Sequence, residues 1–275
     1  MPELPEVETI ARILRQGTEA SPGLVGEIIT SGQVLWERSL AFPSVTEFIS
    51  NIRAQRIDAI SRRGKYLVLR LVGATLLIHL RMSGDLLLEM VNDPVLPHHR
   101  LLLEFQSGRR LAFHDPRKFG RVWLTDHPEM VLGSLGPEPL DEQFGADDLY
   151  QRLRQKHRQL KPLLLDQTFL AGVGNIYADE ALFLARLHPL SFSNSLSQVQ
   201  AALLWSSIRQ VLREGIERNG ASIDWVYRGG DFQNYFRVYQ RTAEPCTRCG
   251  AAIQRIVIGQ RGTHFCPVCQ PLVAG

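Results

Sequence analysis

Apolar side chains recur at Val7, Ile10, Ala11 and Leu14, three and four residues apart, which is one stripe of a helix predicted over about residues 5–20. Between residues 24 and 125 the period changes. Short runs there alternate apolar and polar positions, as half-buried strands do. Residues 66–71 and 75–80 are split by Gly73-Ala74, a hairpin signal, and runs at 100–105, 109–113 and 121–125 are punctuated by Ser107-Gly108 and His114-Asp115-Pro116. This predicts an antiparallel β-sandwich or flattened barrel behind a leading helix. Turn formers then cluster from Gly133 to Pro139, and beyond them the pattern is helical at about 146–157, 160–166, 175–187 and 197–218, the last stopping at Asn219-Gly220. The expected organisation is α+β and multidomain: a sandwich over 1–133, a helical domain over 134–240 and a small cysteine-bearing hairpin over 241–275.

The 275 residues, 44% of them hydrophobic, suffice for more than one core. No apolar run approaches the roughly 18 residues needed to span a bilayer, and the N-terminus lacks a basic-then-apolar leader. A cytoplasmic protein with no membrane partner is expected. The net charge of +3 hides an asymmetry: residues 1–150 hold 16 Lys/Arg against 20 Asp/Glu, residues 151–275 hold 15 against 8. A basic second half suits a polyanion, although a solvated basic face has the same composition.

All four cysteines fall in one pattern: Cys246 and Cys249, sixteen intervening residues, then Cys266 and Cys269. In a cytosolic chain, paired knuckles at this spacing read as a four-thiolate structural Zn2+ site rather than as disulfides. Between them, 253–258 and 263–266 look like strands joined by 259–262, which would hold Arg261 at a fixed tip, well placed for a phosphate.

Other segments admit two readings. If Met1 is removed, Pro2 presents a secondary amine, and an α-amino pKa of about 7.7–8.0 leaves a neutral, nucleophilic fraction at physiological pH. Glu3 and Glu6 would be its acid/base partners. The same residues also make an ordinary helix start, with carboxylates at the positive end of the macrodipole. Arg62-Arg63-Gly64-Lys65-Tyr66 sets cations just before a strand, as a solvated turn also would. In Asp115-Pro116-Arg117-Lys118-Phe119-Gly120, Phe119 is either a core plug or a wedge for a base stack, with Arg117 available to a base edge. Gly172-Val173-Gly174-Asn175 offers backbone amides to a phosphate, or serves close helix packing.

Pro-Glu-Leu-Pro-Glu-Val-Glu-Thr at 2–9, Arg-Arg-Gly-Lys-Tyr at 62–66, His-Leu-Arg-Met-Ser-Gly at 79–84, Asp-Pro-Arg-Lys-Phe-Gly at 115–120, Leu-Gly-Pro-Glu-Pro-Leu at 135–140 and Gly-Val-Gly-Asn-Ile-Tyr at 172–177 occur in one order. With the four-cysteine finger, they make the chain resemble the bacterial formamidopyrimidine-DNA glycosylases over essentially its whole length. The resemblance implies a β-rich lobe, a helical lobe with a helix-two-turn-helix element, and a finger holding one structural zinc. Damaged double-stranded DNA would lie in the cleft between lobes of a monomer acting at the nucleoid. The implied activity removes oxidised purines (8-oxoguanine, formamidopyrimidines) and then cleaves the strand by β,δ-elimination, as an AP lyase. Pro2 is then the Schiff-base nucleophile, Glu3 the acid assisting sugar-ring opening, and Lys65 an essential cation. Met82, Arg117 and Phe119 would fill the space left by the flipped nucleotide, Arg117 reading the orphaned base. His79, Lys161, Asn175, Tyr239 and Arg261 would hold phosphates.

Residues 223–236 lie where the family carries a mobile loop over the extruded purine, but are shorter and differently composed, so no lesion-contacting residue is assigned there. Two other readings stay open. An endonuclease VIII-like enzyme for oxidised pyrimidines usually has Gly where this chain has Leu4, and lacks the wedge at 117–119. A non-catalytic zinc-finger DNA-binding protein leaves Pro2, Glu3 and Lys65 unexplained.

Overall fold

The computed structural model describes residues 1–19, 21–222 and 229–272. Their contacts divide into two units, one holding Met1–Ser134 and the other Leu135–Ala221 with the described residues from Asp231 onward.

In the first unit, α1 (Leu4–Gln16) stops short of residue 20, at Gly17, whose φ of 83° cannot continue a helix. The chain then runs through β1 (Gly17–Thr18), β2 (Ser21–Pro22), β3 (Ile29–Val34) and β4 (Leu40–Phe42) into α2 (Val45–Ile52), a helix inside the stretch read from sequence as strands. Its start is a capping box. Ser44 Oγ accepts from the Glu47 amide at 3.3 Å and Glu47 Oε2 from the Ser44 amide at 3.1 Å. There follow β5 (Ile57–Arg63), β6 (Tyr66–Leu71), β7 (Thr75–His79), β8 (Asp85–Met90), β9 (His99–Phe105), β10 (Arg109–His114), β11 (Arg121–Thr125) and α3 (Glu129–Leu132).

Strands β3 to β11 form two sheets, ordered β3-β9-β10-β8 and β4-β11-β7-β6-β5, while among the described residues β1 and β2 pair only with each other. Leu101, Leu103, Leu111 and Phe113 of the first share one core with Ile60, Leu67, Leu69 and Ile78 of the second, and with Val7, Ile10 and Leu14 of α1. The alternation seen in the sequence is the alternation between this core and solvent. The sandwich departs from the antiparallel expectation at one edge, where β4 runs parallel to β11. The chain enters β4 by crossing from the other sheet rather than doubling back in a hairpin, so nothing forces the antiparallel direction.

The second unit contains α4 (Ala146–Arg154), α5 (Leu160–Leu165), α6 (Asn175–Leu184) and α7 (Gln198–Glu217). At the end of α7 the Gly220 amide donates to Gly215 O at 2.7 Å and the Asn219 amide to Ile216 O at 3.1 Å, with Asn219 at a φ of 57°. This is the helix stop the sequence indicated. Strands β12 (Gln254–Ile258) and β13 (Arg261–Phe265) meet through Gly259-Gln260, at φ 54° and 63°, a tight primed turn. Arg261 and Gly262, read from sequence as loop, therefore begin β13. The finger is not a separate body: Phe183, Val238, Cys246, Ile253 and Cys266 share one small core, and Arg248 Nη1 donates to Phe183 O at 2.7 Å, capping α6. Among the described residues no helix is long and apolar enough to cross a membrane.

Candidate active site and nucleic-acid interface

Pro2 and Glu3 are buried immediately before α1, while Met1 is exposed. The Glu3 amide donates to Glu6 Oε2 at 2.7 Å. Glu6, expected from sequence to act as an acid/base partner, thus has its carboxylate committed to the helix cap, where it fixes the position of Glu3 and Pro2. Helix α1 is tied to β5 by Arg62 Nε, which donates to Glu8 Oε2 at 3.0 Å, and by Arg15 Nη1, which donates to Ile60 O at 3.0 Å. These ties set the β5–β6 turn, with its buried Lys65, at a fixed place along α1.

Tyr66 and His79 stand opposite each other on β6 and β7, their rings edge to face with centres 4.6 Å apart. Burial, reinforced by the charges of Arg81 and Lys65, holds the His79 pKa down at about 3. The ring is therefore neutral at physiological pH. Because the Arg81 amide donates to Nδ1 at 3.0 Å, the ring proton sits on Nε2. A neutral N–H beside two cations can donate to a phosphate oxygen without burying a third charge.

The turn 81–83 and the loop 115–120 are joined by one buried carboxylate. Asp115 Oδ1 accepts from the Ser83 hydroxyl and Oδ2 from the Gly120 amide at 2.7 Å, while Ser83 Oγ accepts from the Arg117 amide at 3.2 Å. Arg117, Lys118 and Phe119 are exposed and Met82 is half-buried. At 49% exposure Phe119 is no core plug. The Arg117 guanidinium lies 5.0 Å from the centre of the Phe119 ring, so cation and aromatic face outward together.

In the second unit the start of α6 gathers residues distant in sequence. Asn175 Nδ2 donates to Gly262 O at 3.1 Å and approaches the Tyr239 hydroxyl at 3.5 Å, and Gly262 follows the exposed Arg261. Three of the expected phosphate ligands thus neighbour one another. Beneath them α6 is buried all round yet carries two adjacent acids. Asp179 accepts from the His264 amide at 2.9 Å, and Glu180 accepts from the amides of Arg237, Val238 and Tyr239, each at 2.9 Å. Burial pushes the Glu180 carboxyl pKa up while those amides and Arg237 pull against it.

Lys161 requires a correction. Its side chain is fully buried, and Nζ donates to Asp179 Oδ1 at 2.5 Å and to Asn175 O at 2.7 Å. A cation enclosed by those acceptors does not reach a phosphate; it fixes the helix start that carries Asn175. Residues 223–228 of the stretch flagged above a flipped base lie outside the described residues. Beyond them Phe232 stacks on Tyr177, ring centres 5.3 Å apart.

The sulfurs of Cys246, Cys249, Cys266 and Cys269 all lie within 4.8 Å of one another, with 3.9 Å between Cys246 and Cys269 and 3.5 Å between Cys249 and Cys266. A tetrahedral zinc with bonds of about 2.3 Å separates its sulfurs by roughly 3.8 Å, so the set fits. Amides of Arg248 and Cys269 donate to Cys246 Sγ and Cys266 Sγ at 3.4 and 3.3 Å, as ligating thiolates require. The four cysteines hold one structural zinc.

Sequence reasoning passed over Ser83, Asp115, Asp179, Glu180 and His264. A signal existed for two of them: adjacent acids inside an otherwise apolar helix can be buried only if partnered.

The exposed Arg117–Phe119 tip and the zinc-stapled cluster around the start of α6 suit a protein that works on nucleic acid. The comparisons specify which kind. Residues 1–122 match the formamidopyrimidine-DNA glycosylase N-terminal domain, residues 135–226 the H2TH domain of the same enzymes, and residues 243–272 the zinc finger found in FPG and IleRS. The formamidopyrimidine-DNA glycosylase of Herpetosiphon aurantiacus is 44% identical, covering 98% of this chain and 100% of its own. That of Chloroflexus aurantiacus is 47% identical over 98% of each. A crystal structure of the Lactococcus lactis Fpg (MutM) in complex with DNA containing Fapy-dG superposes with a TM-score of 0.89 at 39% identity, covering 98% of this chain and 100% of that one. The chain belongs to the formamidopyrimidine-DNA glycosylase family, and is a DNA glycosylase.

Proposed function

We propose that this glycosylase removes oxidised purines, 8-oxoguanine and formamidopyrimidines, from duplex DNA and then cleaves the strand as an AP lyase. The observation that carries the proposal is the N-terminus: Pro2 and Glu3 are buried at the positive end of α1, with the Glu3 backbone pinned by Glu6. Retained Met1 would make the Pro2 nitrogen an amide, without a nucleophilic lone pair. With Met1 removed, the Pro2 amine attacks C1′ of the damaged nucleotide as the base departs, and Glu3 protonates the sugar-ring oxygen as the ring opens. The resulting iminium ion accepts the electrons of the C–H bond broken at C2′, expelling the 3′ phosphate, and a further elimination expels the 5′ phosphate. Glycosylase and lyase steps thus share one nucleophile. Lys65 contributes positive charge where the leaving groups develop negative charge.

Extruding the lesion costs a few kcal/mol, which insertion of Met82, Arg117 and Phe119 partly offsets. The exposure of Arg117 and Phe119, with Met82 half-buried on the adjoining turn, supports this role. Arg117 faces the orphaned base: a guanidinium donates to O2 and N3 of cytosine but meets the donor-bearing edge of adenine poorly. His79, Asn175, Tyr239 and Arg261 hold phosphates. The oxidised-pyrimidine reading draws less support, since relatives at 39–47% identity carry the formamidopyrimidine-DNA glycosylase name.

The test is borohydride trapping on duplexes bearing 8-oxoguanine opposite cytosine, or an oxidised pyrimidine. Processed protein should cross-link through Pro2 and cleave the 8-oxoguanine strand, while protein retaining Met1 should do neither. Cross-linking of processed protein through Lys65 would refute the amine mechanism.

A further inference from the structure

We propose that Ser83 and Asp115 are positioning residues that give Arg117 its choice between opposite bases. The proposal rests on the reading of Arg117 above and adds which residues aim it. Met82 and the Arg117–Phe119 tip sit on two connections that each cross between the sheets of the sandwich, from β7 to β8 and from β10 to β11. Sheet pairing sets the ends of the two connections side by side, Asp85 against His114 and His79 against Arg121, but does not fix the tip of one against the tip of the other. The Asp115 carboxylate does so, because one oxygen takes the Ser83 hydroxyl from the first connection and the other takes the Gly120 amide of its own. Ser83 then reaches back to the Arg117 amide at 3.2 Å, closing the bracket on the backbone that carries the guanidinium.

Other groups hold the bracket from behind. Arg100 Nε donates to Asp115 O at 2.8 Å. Lys118, at a φ of 61°, sets its ammonium 4.0 Å from the centre of a Trp36 ring, and the Trp36 amide donates to Arg100 O at 3.1 Å. A Cβ on Gly120 would fall 2.2 Å from Phe113 Cζ, so the loop closes only with glycine there. Asp115 and Ser83 are themselves 0% and 6% exposed, so their effect on DNA runs through the residues they hold.

A guanidinium on a long, rotatable side chain discriminates between two bases only if its backbone cannot adjust to the wrong one, because hydrogen bonds weaken steeply with angle. A loosened bracket therefore lowers the difference between partners more than it lowers general affinity. Ser83→Ala removes the link while leaving the carboxylate on Gly120. Asp115→Asn keeps the shape but sets an NH2 group against a donor that the carboxylate accepted.

The experiment is single-turnover excision of 8-oxoguanine opposite cytosine and opposite adenine by wild type, Ser83→Ala, Ser83→Thr, Asp115→Asn, Arg117→Ala and the double variant of 83 and 117. Ser83→Ala and Asp115→Asn should each narrow the preference for cytosine by roughly threefold to tenfold, with affinity for undamaged duplex held within about twofold. Ser83→Thr, which keeps the hydroxyl, should restore it. The double variant should be no less selective than Arg117→Ala alone, since both changes act on one contact. If Ser83→Ala and Asp115→Asn keep the full preference while Arg117→Ala loses it, the positioning role is overturned and the reading of Arg117 stands. If Arg117→Ala keeps the preference, that reading fails and this proposal with it. Melting curves accompany each variant, and Ser83→Cys, similar in volume but a weaker donor, replaces Ser83→Ala should the latter not fold.

Discussion

Lys161 and Asp179 form an ion pair with neither side chain accessible to solvent, Nζ to Oδ1 2.5 Å. Removing one partner leaves the other charge buried and uncompensated, which costs about 3–5 kcal/mol. Lys161→Met should therefore lower the urea midpoint by that equivalent while leaving unchanged the slope of log affinity for duplex against log salt. A slope that falls by about one would instead return Lys161 to the phosphate ligands.

Arg261→Ala is the converse case. The residue is exposed at the head of β13, and its loss should reduce the salt slope by about one, on damaged and undamaged duplex alike, because a phosphate contact carries no sequence information. Melting should be unaffected. An effect confined to lesion-bearing DNA would contradict the assignment.

Elemental analysis should find one zinc per chain, with none exchangeable into catalysis, since all four positions are filled by cysteine. Cys266 shares a core with Phe183 of α6. Cys266→Ser, or chelation, should thus raise amide exchange at the end of α6 and weaken DNA binding, while the sandwich keeps its own protection. A metal-free protein with ordinary stability and affinity would rule out the structural role.

His79 makes stability depend on pH in a defined direction. Its folded pKa of about 3 lies below the ordinary 6.5, so between those values the unfolded chain binds the extra proton. Its contribution is complete above about pH 6.5 and is lost as pH falls toward 3, by up to about 1.4 kcal/mol per unit. Denaturant titrations of wild type and His79→Asn should diverge across that window, the variant lacking this component. Parallel curves would mean the ring is not held neutral.

Glu3→Gln removes the proposed proton donor for ring opening but leaves the Pro2 amine. Base excision should fall by about 10²- to 10⁴-fold, the usual contribution of a positioned acid, while cleavage at a preformed abasic site persists in part. Equal loss of both activities with DNA binding intact would remove this division of labour.

The elements of the fold follow from rules that act over a few residues. The stripe of Val7, Ile10 and Leu14 places α1, the alternation at 66–71 and 121–125 places β6 and β11, Asn219-Gly220 stops α7, and two cysteine knuckles announce the zinc. The helix α2 was legible in Ser44 and Glu47 as well, but its capping pattern was hidden among runs with strand period. Partnership across the chain is settled only when those elements pack. Whether Lys161 meets a phosphate or a carboxylate depends on Asp179, 18 residues on, and Asp179 meets His264 a further 85 residues away. Ser83 and Asp115 are 32 residues apart and find each other only because two crossovers end side by side. Charge, hydroxyl and amide are interchangeable in a sequence pattern. Burial separates them, because a polar group taken from water must be met by a particular partner, and packing alone supplies it.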